Sequence, residues 1–385
     1  MSDFGKIVRQ PSLSFRDLST GQFTPTIWDG LRDGLWQKFS VENWLYNDML
    51  TPEKIAEQKP LFPGIQQIEP GVIWDDATRH IIPDLYHPNR IETGLDVWLC
   101  LAEDFIKGLD AKRIGVHLSG GLDSSLIIAT LHQLKIPFVP IGLESLTYEF
   151  RTERHIQELL IGWGEDGLLI DSSEVPYYHG IDTLPATQIP TGIFKSYYAS
   201  CRLASAFSER GCDVVLGGQG GDSLLVDPVT DVKKTTFNIG NEFLVQEDDE
   251  IIYEPLGIKL MSFFGHKPII DFLTSARIGQ GDDALKLWTR KYFKDWLPNE
   301  LSEYAYFADF FGLTTFGLKK AKPIISELVT EAHEMIGHPM FSAKERLRFL
   351  DQDIYSFEYN EYIRFSSTLA IAVWLKSLKN GGIIQ

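Results

Sequence analysis

The feature that most constrains the fold of this chain is the segment Arg113–Ser125, which reads Arg-Ile-Gly-Val-His-Leu-Ser-Gly-Gly-Leu-Asp-Ser-Ser. Its alternating apolar residues Ile114, Val116 and Leu118 predict a short strand, and a helical pattern begins at about Ser124. The small residues between strand and helix turn several backbone N–H groups toward one point, beside the positive end of the helix dipole. Such a turn predicts a phosphate-binding loop. It is not a Walker A loop, because that pattern requires a lysine that this turn lacks.

Strand and helix patterns alternate beyond this loop. Apolar runs and the turn residues that bound them predict strands near 136–143, 167–171 and 213–216, and helices near 93–109, 153–163 and 195–210. This alternation is typical of an α/β fold with a doubly wound parallel sheet. A helical pattern is also present around 27–49, and the chain is predicted to be mainly helical from about Ile258 onward.

A second glycine-rich loop, Gly217–Asp222, follows the strand predicted at 213–216. In an open parallel sheet ligands bind at the carboxyl ends of the strands, so we expect both loops to face one crevice. Asp222 would then lie across from Asp123. Because carboxylate oxygens from two sides suit a magnesium–pyrophosphate complex, the two aspartates are predicted to hold Mg²⁺.

The composition excludes several function classes. The net charge of −17 disfavours a nucleic-acid partner, and no apolar stretch approaches the length of a membrane span. The three cysteines form no Cys-x-x-Cys pair, so neither a structural zinc site nor a disulfide framework is predicted. We therefore expect a cytoplasmic protein without nucleic-acid or membrane partners; the oligomeric state stays open.

Several motifs together point to one family. Ser119–Ser125 resembles the pyrophosphate loop of the ATP pyrophosphatases, and Gly218–Asp222 fits a second loop of the form Gly-x-Gly-Ser/Ala/Gly-Asp. Pro268–Asp271 and the pattern Lys286, Arg290, Leu297-Pro298 are further matches. From about Pro63 to its end, the chain resembles the synthetase domain of the asparagine synthetase family. The Gly-Gly-Asp form of the second loop is more like the macrolactam cyclases of lasso peptides, relatives of the β-lactam synthetases, than asparagine synthetase itself.

The resemblance implies a fold and a division of the chain. The fold is the ATP pyrophosphatase (adenine nucleotide α-hydrolase-like) sheet with a mainly helical C-terminal part. Residues 91–385 would form the ATP-binding synthetase domain. Residues 1–90 are too few for a full glutaminase domain and have Ser2 where asparagine synthetases begin with a catalytic cysteine. We expect them to be a truncated, inactive glutaminase-like remnant.

The resemblance also implies the ligands and the residues that bind them. ATP and Mg²⁺ would be the cofactors, with Asp123 and Asp222 as metal ligands. Lys286 and Arg290 would meet pyrophosphate or form a solvated face, and His117 would be packed or solvated. The residues implied in ATP binding lie on the two loops and the second strand: Leu118, Ser119, Gly120, Gly121, Asp123, Ser124, Ser125, Gly142, Leu143, Gly218, Gln219 and Gly220.

Two positions depart from the family pattern. Gln219 stands where asparagine synthetases have a glutamate base, and Tyr306 falls where the family has a lysine. A neutral amide cannot accept a proton from an amine, so another base is required. Glu254 and Glu242 are the candidate bases, and Lys319 or Lys320 would supply the missing positive charge.

These observations predict an AMP-forming carbon–nitrogen ligase that acts through an acyl-adenylate. A peptide or an amino-acid derivative would be the substrate, as in the macrolactam closure of a lasso peptide in antibiotic biosynthesis, with a precursor peptide and a partner protease. Ammonia-dependent amidation of a small carboxylic acid and a non-catalytic nucleotide- or partner-binding relative are the alternatives. A tRNA-modifying enzyme is disfavoured by the acidic charge and the absent Cys-x-x-Cys pair.

Overall fold

A computed structural model divides the chain into two units. One unit comprises Met1–Pro83, Val175–Tyr198 and Phe311–Gln385, and the other comprises Asp84–Glu174 and Ala199–Phe310. The structure describes residues 13–47, 54, 57–70, 72–78, 80–144, 151–226, 229–238, 240, 249–280, 283, 285–303, 311–338, 350 and 359–384. Within these ranges no helix combines the length and the apolar character needed to cross a membrane.

The unit that contains the first loop is built on a five-stranded parallel sheet with the order β12-β10-β7-β8-β9. Its strands are β7 Ile114–His117, β8 Val139–Glu144, β9 Leu168–Asp171, β10 Val214–Gly217 and β12 Lys259–Ser262. A separate antiparallel pair joins β6 Leu85–Tyr86 to β11 Phe237–Asn238. In the centre of the sheet, Val116 pairs with Leu216, which pairs with Met261 on its other side. The carboxyl ends of β7 and β10 therefore lie side by side.

Helices cover this sheet and account for its apolar strands. They are α3 Leu95–Gly108, α4 Leu122–Gln133, α5 Arg151–Ile161, α6 Tyr197–Glu209, α7 Gly221–Leu225, α8 Lys267–Ala276, α9 Leu287–Tyr292 and α10 Asn299–Glu303. The fully buried Trp98 of α3 donates through Nε1 to Thr130 Oγ1 at 3.0 Å and packs edge-on against Phe272. Because helices pack on the sheet, the central strand β10 is buried at all four of its positions.

The other unit combines small antiparallel sheets with helices. β1 Ser14–Asp17 lies between β2 Phe23–Thr24 and β3 Ile65–Ile68, and β4 Val72–Asp75 pairs with β5 His80–Pro83. Its helices are α1 Trp28–Arg32, α2 Val41–Asn47, α11 Phe311–Ile336 and α12 Tyr359–Asn380. Trp374 of α12 is buried against Phe39 and donates to the backbone oxygen of Thr187 at 2.9 Å.

The predicted α/β class, parallel sheet and helical C-terminal part are confirmed, with two local differences. The helical pattern at 27–49 is interrupted, because Gly34 has a φ of +92° and a short 3-10 helix separates α1 from α2. The fifth strand, β12, falls where helix was predicted. The segment Lys259–Ser262 has only two apolar residues and no clear period, so its sequence fits either element and pairing with β10 decides it. The glutaminase-like remnant and the boundary at residue 90 stay predictions.

Candidate functional site

The first loop connects β7 to α4 through a tight glycine turn. Leu118 extends the strand by donating its N–H to the backbone oxygen of Ile141 at 2.8 Å. Gly120 has a φ of +83°, and a Cβ at this position would lie 2.6 Å from the backbone oxygen of Glu153. Both the backbone conformation and the space therefore require glycine, and the turn brings the chain to the amino end of α4.

The serines of the loop are hydrogen-bonded to the loop itself. The Ser125 hydroxyl is buried and donates to the backbone oxygen of Gly121 at 2.7 Å. Ser124 Oγ accepts from the Ser119 N–H at 3.2 Å, while Ser119 Oγ accepts from the Gly121 N–H at 3.2 Å. The hydroxyls thus brace the first turn of α4, whose N–H groups have no partner within the helix. Of the three, the Ser119 side chain is the most exposed to solvent.

The ends of β7 and β8 approach each other closely beside this loop. A Cβ on Gly142 would lie 1.9 Å from the backbone oxygen of Leu118. The buried Gln157 of α5 joins the two strands, because its Nε2 donates to the backbone oxygens of Leu118 at 3.1 Å and Leu143 at 2.8 Å. Sequence reasoning missed Gln157. Its signal was a polar residue between the buried positions Ile156 and Leu160 of an amphipathic helix.

The second loop connects β10 to α7 and is more open. Gly220 has a φ of +79°, and the Gln219 side chain is exposed. The loop is tied to β12 by the Ser262 hydroxyl, which donates to the backbone oxygen of Gln219 at 2.8 Å. A Cβ on Gly221 would lie 2.5 Å from Asp123 Cγ. The two loops are therefore neighbours, as the topology of the sheet predicts.

One ammonium group lies between the two aspartates. Lys286 Nζ donates to Asp123 Oδ1 at 2.6 Å and Oδ2 at 2.8 Å, and it lies 2.6 Å from Asp222 Oδ1. The Asp123 side chain is 20% exposed and the Lys286 side chain 12%, whereas Asp222 is 84% exposed. Burial raises the pKa of Asp123, and the positive charge of Lys286 opposes that shift.

The turn before α9 directs the Lys286 side chain toward the two aspartates. Lys286 has a left-handed backbone with a φ of +53°, and its N–H donates to the backbone oxygen of Asp283 at 2.8 Å. The Asp283 carboxylate accepts from the N–H groups of Leu287 at 2.8 Å and Trp288 at 2.9 Å. Asp283 therefore caps α9 and fixes the backbone from which the Lys286 side chain extends.

Arg290 belongs to the frame of the site and does not form a solvated face. It is buried, and its Nε donates to the backbone oxygen of Leu285 at 2.9 Å, while Nη1 donates to that of Leu301. These bonds join the turn before α9 to α10. A long polar side chain one helical turn from Lys286 suggests a solvated surface in sequence, but here the guanidinium satisfies buried carbonyl groups.

His117 is packed against aromatic rings at the end of β7. Its Nε2 lies 2.7 Å from Tyr253 Oη, and its ring is stacked on Phe207 with centroids 5.4 Å apart. Burial lowers the pKa of His117 to about 4, so the imidazole is neutral at pH 7. These contacts make it a structural residue beneath the loop.

The structure does not bring the predicted Glu254 together with the aspartates. Glu254 is exposed and begins a 3-10 turn, Glu254–Leu256, before β12, on the edge where the parallel strands start. Lys319 and Lys320 are exposed on α11 in the other unit, and their role stays a prediction. The predictions for Ser2, Glu242 and Tyr306 lie outside the described residues.

The two carboxylates fit a hard divalent cation. Asp123 and Asp222 both contact the Lys286 ammonium, so one positive charge can contact carboxylate oxygens of both loops at the same time. Carboxylate oxygens are the ligands that Mg²⁺ prefers, and Mg²⁺ sites in proteins are commonly completed by water and substrate phosphates. The amino end of α4, which carries Asp123 in its first turn, is the kind of helix terminus that favours anions.

Comparison with known proteins identifies the segment that holds both loops. Residues 109–226 match the family model described as asparagine synthase. The match begins just before β7 and ends just after α7, so it includes Asp123 and Asp222. No match to the chain is found among curated proteins. Residues 109–226 are thus similar to the asparagine synthase family.

Proposed function

We propose that this protein is an ATP-dependent, AMP-forming ligase that makes amide bonds through an acyl-adenylate. The observation that carries the proposal is the meeting of Asp123 and Asp222 at one cationic point. That point lies beside a loop whose N–H groups can hold phosphate, and both aspartates belong to the segment that matches asparagine synthase.

The chemistry requires activation because a carboxylate is a poor electrophile. A substrate carboxylate oxygen would attack the α-phosphorus of ATP, the bond to the β-phosphate would break, and pyrophosphate would leave. An amine would then attack the acyl carbon of the mixed anhydride, lose a proton, and expel AMP. The first step concentrates negative charge on the pyrophosphate, so groups fixed in advance around it lower the barrier.

The residues of the first loop and Lys286 would perform the phosphate binding. The N–H groups at the start of α4 would donate to phosphate oxygens, with the partly exposed Ser119 hydroxyl beside them. Lys286 would supply a positive charge to the same phosphates. The ends of β7 and β8 at Leu118, Gly142 and Leu143, which Gln157 joins, would hold the adenine base. Gly218, Gln219 and Gly220 would border the nucleotide from the second loop.

Asp123 and Asp222 would hold Mg²⁺, which would neutralise charge on the leaving pyrophosphate. Asp123 would do so from a braced, mostly buried position. Asp222 would do so from an exposed one that can adjust to the substrate. The different burial of the two carboxylates suits a site that binds its metal and its nucleotide together.

The amine that attacks the acyl-adenylate is where the proposed reaction differs from that of asparagine synthetases. Gln219, at the position where asparagine synthetases have a glutamate base, cannot accept a proton from ammonia. We therefore favour an amine carried by a peptide or an amino-acid derivative, as in macrolactam closure. Ammonia-dependent amidation of a small carboxylic acid is the second candidate.

The experiment is a product analysis with radiolabelled ATP. The full chain is incubated with Mg²⁺ and [α-³²P]ATP, with the proteinogenic amino acids plus hydroxylamine in one series. Linear peptides with an acidic side chain and a free α-amine form the other series. The proposal predicts AMP together with a hydroxamate, or AMP together with a peptide that has lost one water. ADP as the nucleotide product contradicts it, and Asp123→Asn is the control for contaminating enzymes.

A further inference from the structure

The Lys286 ammonium occupies the space that a bridging metal would need. It lies 2.6 Å from an oxygen of Asp123 and 2.6 Å from an oxygen of Asp222. A magnesium ion bound to both side chains would sit about 2.0–2.1 Å from the same oxygens. The ammonium and the metal therefore cannot be bound between these carboxylates at the same time.

We propose that Lys286 keeps the Asp123–Asp222 pair closed to a free divalent cation, so that the metal enters only together with the nucleotide phosphates. This inference rests on the proposed function, because it concerns the metal that assists pyrophosphate release. Lys286 would then control the order in which the metal and the nucleotide bind, in addition to any contact with phosphate.

The burial of the contact makes the exclusion effective. The Lys286 side chain is 12% exposed, and its partner Asp123, which accepts at both oxygens, is 20% exposed, so water and salt screen this ion pair little. A free metal ion that displaced the ammonium would leave a largely buried positive charge without its partners, which is strongly unfavourable. Phosphate oxygens at the adjacent loop remove that obstacle, because they offer the ammonium new charge-assisted hydrogen bonds.

The exchange needs only a side-chain movement. The backbone of Lys286 is fixed by Asp283, whose carboxylate caps the two N–H groups that follow and whose backbone oxygen accepts from Lys286 itself. The lysine side chain is a flexible four-carbon stem with a compact charge. Arg290, one helical turn away, donates to the backbone oxygens of Leu285 and Leu301. These bonds keep the turn before α9 in place while Lys286 changes partner.

The test measures Mn²⁺ binding to the full chain without nucleotide, by the electron paramagnetic resonance signal of the free ion. Wild type is compared with Lys286→Gln and Lys286→Met, and Lys286→Arg is the charge-retaining control. We expect both neutral variants to gain one Mn²⁺ site at least about ten-fold tighter than any site of the wild type that involves Asp123. The arginine variant gains no such site. Adding Asp123→Asn to Lys286→Gln abolishes the new site and so locates it.

Equal Mn²⁺ binding by wild type and by both folded neutral variants overturns the inference. Thermal melts establish that each variant is folded, and the methionine variant, which keeps the apolar stem, covers a failure of the glutamine variant. A second arm adds α,β-methylene ATP to the wild type, and the inference predicts that the missing Mn²⁺ site then appears. Product analysis separates the two proposals, because ADP formation contradicts the ligase while leaving the Mn²⁺ titration without nucleotide unchanged.

Discussion

The two glycine-rich loops share a strand–loop–helix plan but differ in how far the protein fixes them. The first is braced by its own serine hydroxyls, by the close approach of Gly142 and by Gln157, and it carries a mostly buried Asp123. The second is tied through Ser262 to β12 and presents Asp222 to solvent. The comparison teaches that the protein holds the first loop and its carboxylate in place from several sides, whereas it leaves the carboxylate of the second loop exposed to solvent.

The largest expected effect comes from a substitution that disturbs the contacts holding the first loop in place. Gly142→Ala places a methyl group 1.9 Å from the backbone oxygen of Leu118, so the ends of β7 and β8 must separate. We expect a loss of about 3 kcal/mol in the free energy of unfolding, measured by urea denaturation. Gly217→Ala, at the base of the second loop, is the matched control, because its Cβ would meet Met261 at an ordinary 3.9 Å. Equal losses in the two variants would refute the difference in bracing.

The second effect is a pH dependence of the free energy of unfolding, which arises from His117 in the strand that leads into the first loop. His117 has a pKa of about 4 in the folded state and an ordinary value of 6.5. The unfolded chain therefore binds a proton first as the pH falls, and stability is lost between pH 6.5 and 4. Relative to His117→Gln, which does not titrate, we expect wild type to lose roughly 3 kcal/mol between pH 7 and pH 4. Parallel stability curves for the two proteins over this range would contradict a neutral imidazole packed against Phe207 and Tyr253.

The smallest effect compares the two aspartates directly. Asp123 is mostly buried against the Lys286 ammonium, so replacing it takes away the buried partner of that charge, whereas Asp222 is 84% exposed. Asp123→Asn should lower the free energy of unfolding by about 2 kcal/mol, and Asp222→Asn should leave it nearly unchanged. Both variants should weaken binding of magnesium–ATP in calorimetry. A larger stability loss in the Asp222 variant would reverse the comparison.

Local patterns made much of this architecture predictable. The strands β7 to β10 follow from short apolar runs bounded by turn residues, and the position of both loops follows from the topology of a parallel sheet. What the sequence could not provide depends on tertiary contacts. β12 is a strand because β10 pairs with it, Arg290 is buried because carbonyl groups surround it, and Lys286 reaches both aspartates because Asp283 holds a left-handed turn.

The most direct test of the central claim asks which phosphate bond is broken. The full chain with Mg²⁺ and the same amino-acid and peptide series is supplied with β,γ-methylene ATP, whose α–β bridge is an ordinary oxygen, or with α,β-methylene ATP. Cleavage between the α- and β-phosphates predicts AMP from the first analogue and no turnover of the second. ADP formation from ATP, with β,γ-methylene ATP left intact, would mean that the bond between the β- and γ-phosphates is broken. That result would contradict the account.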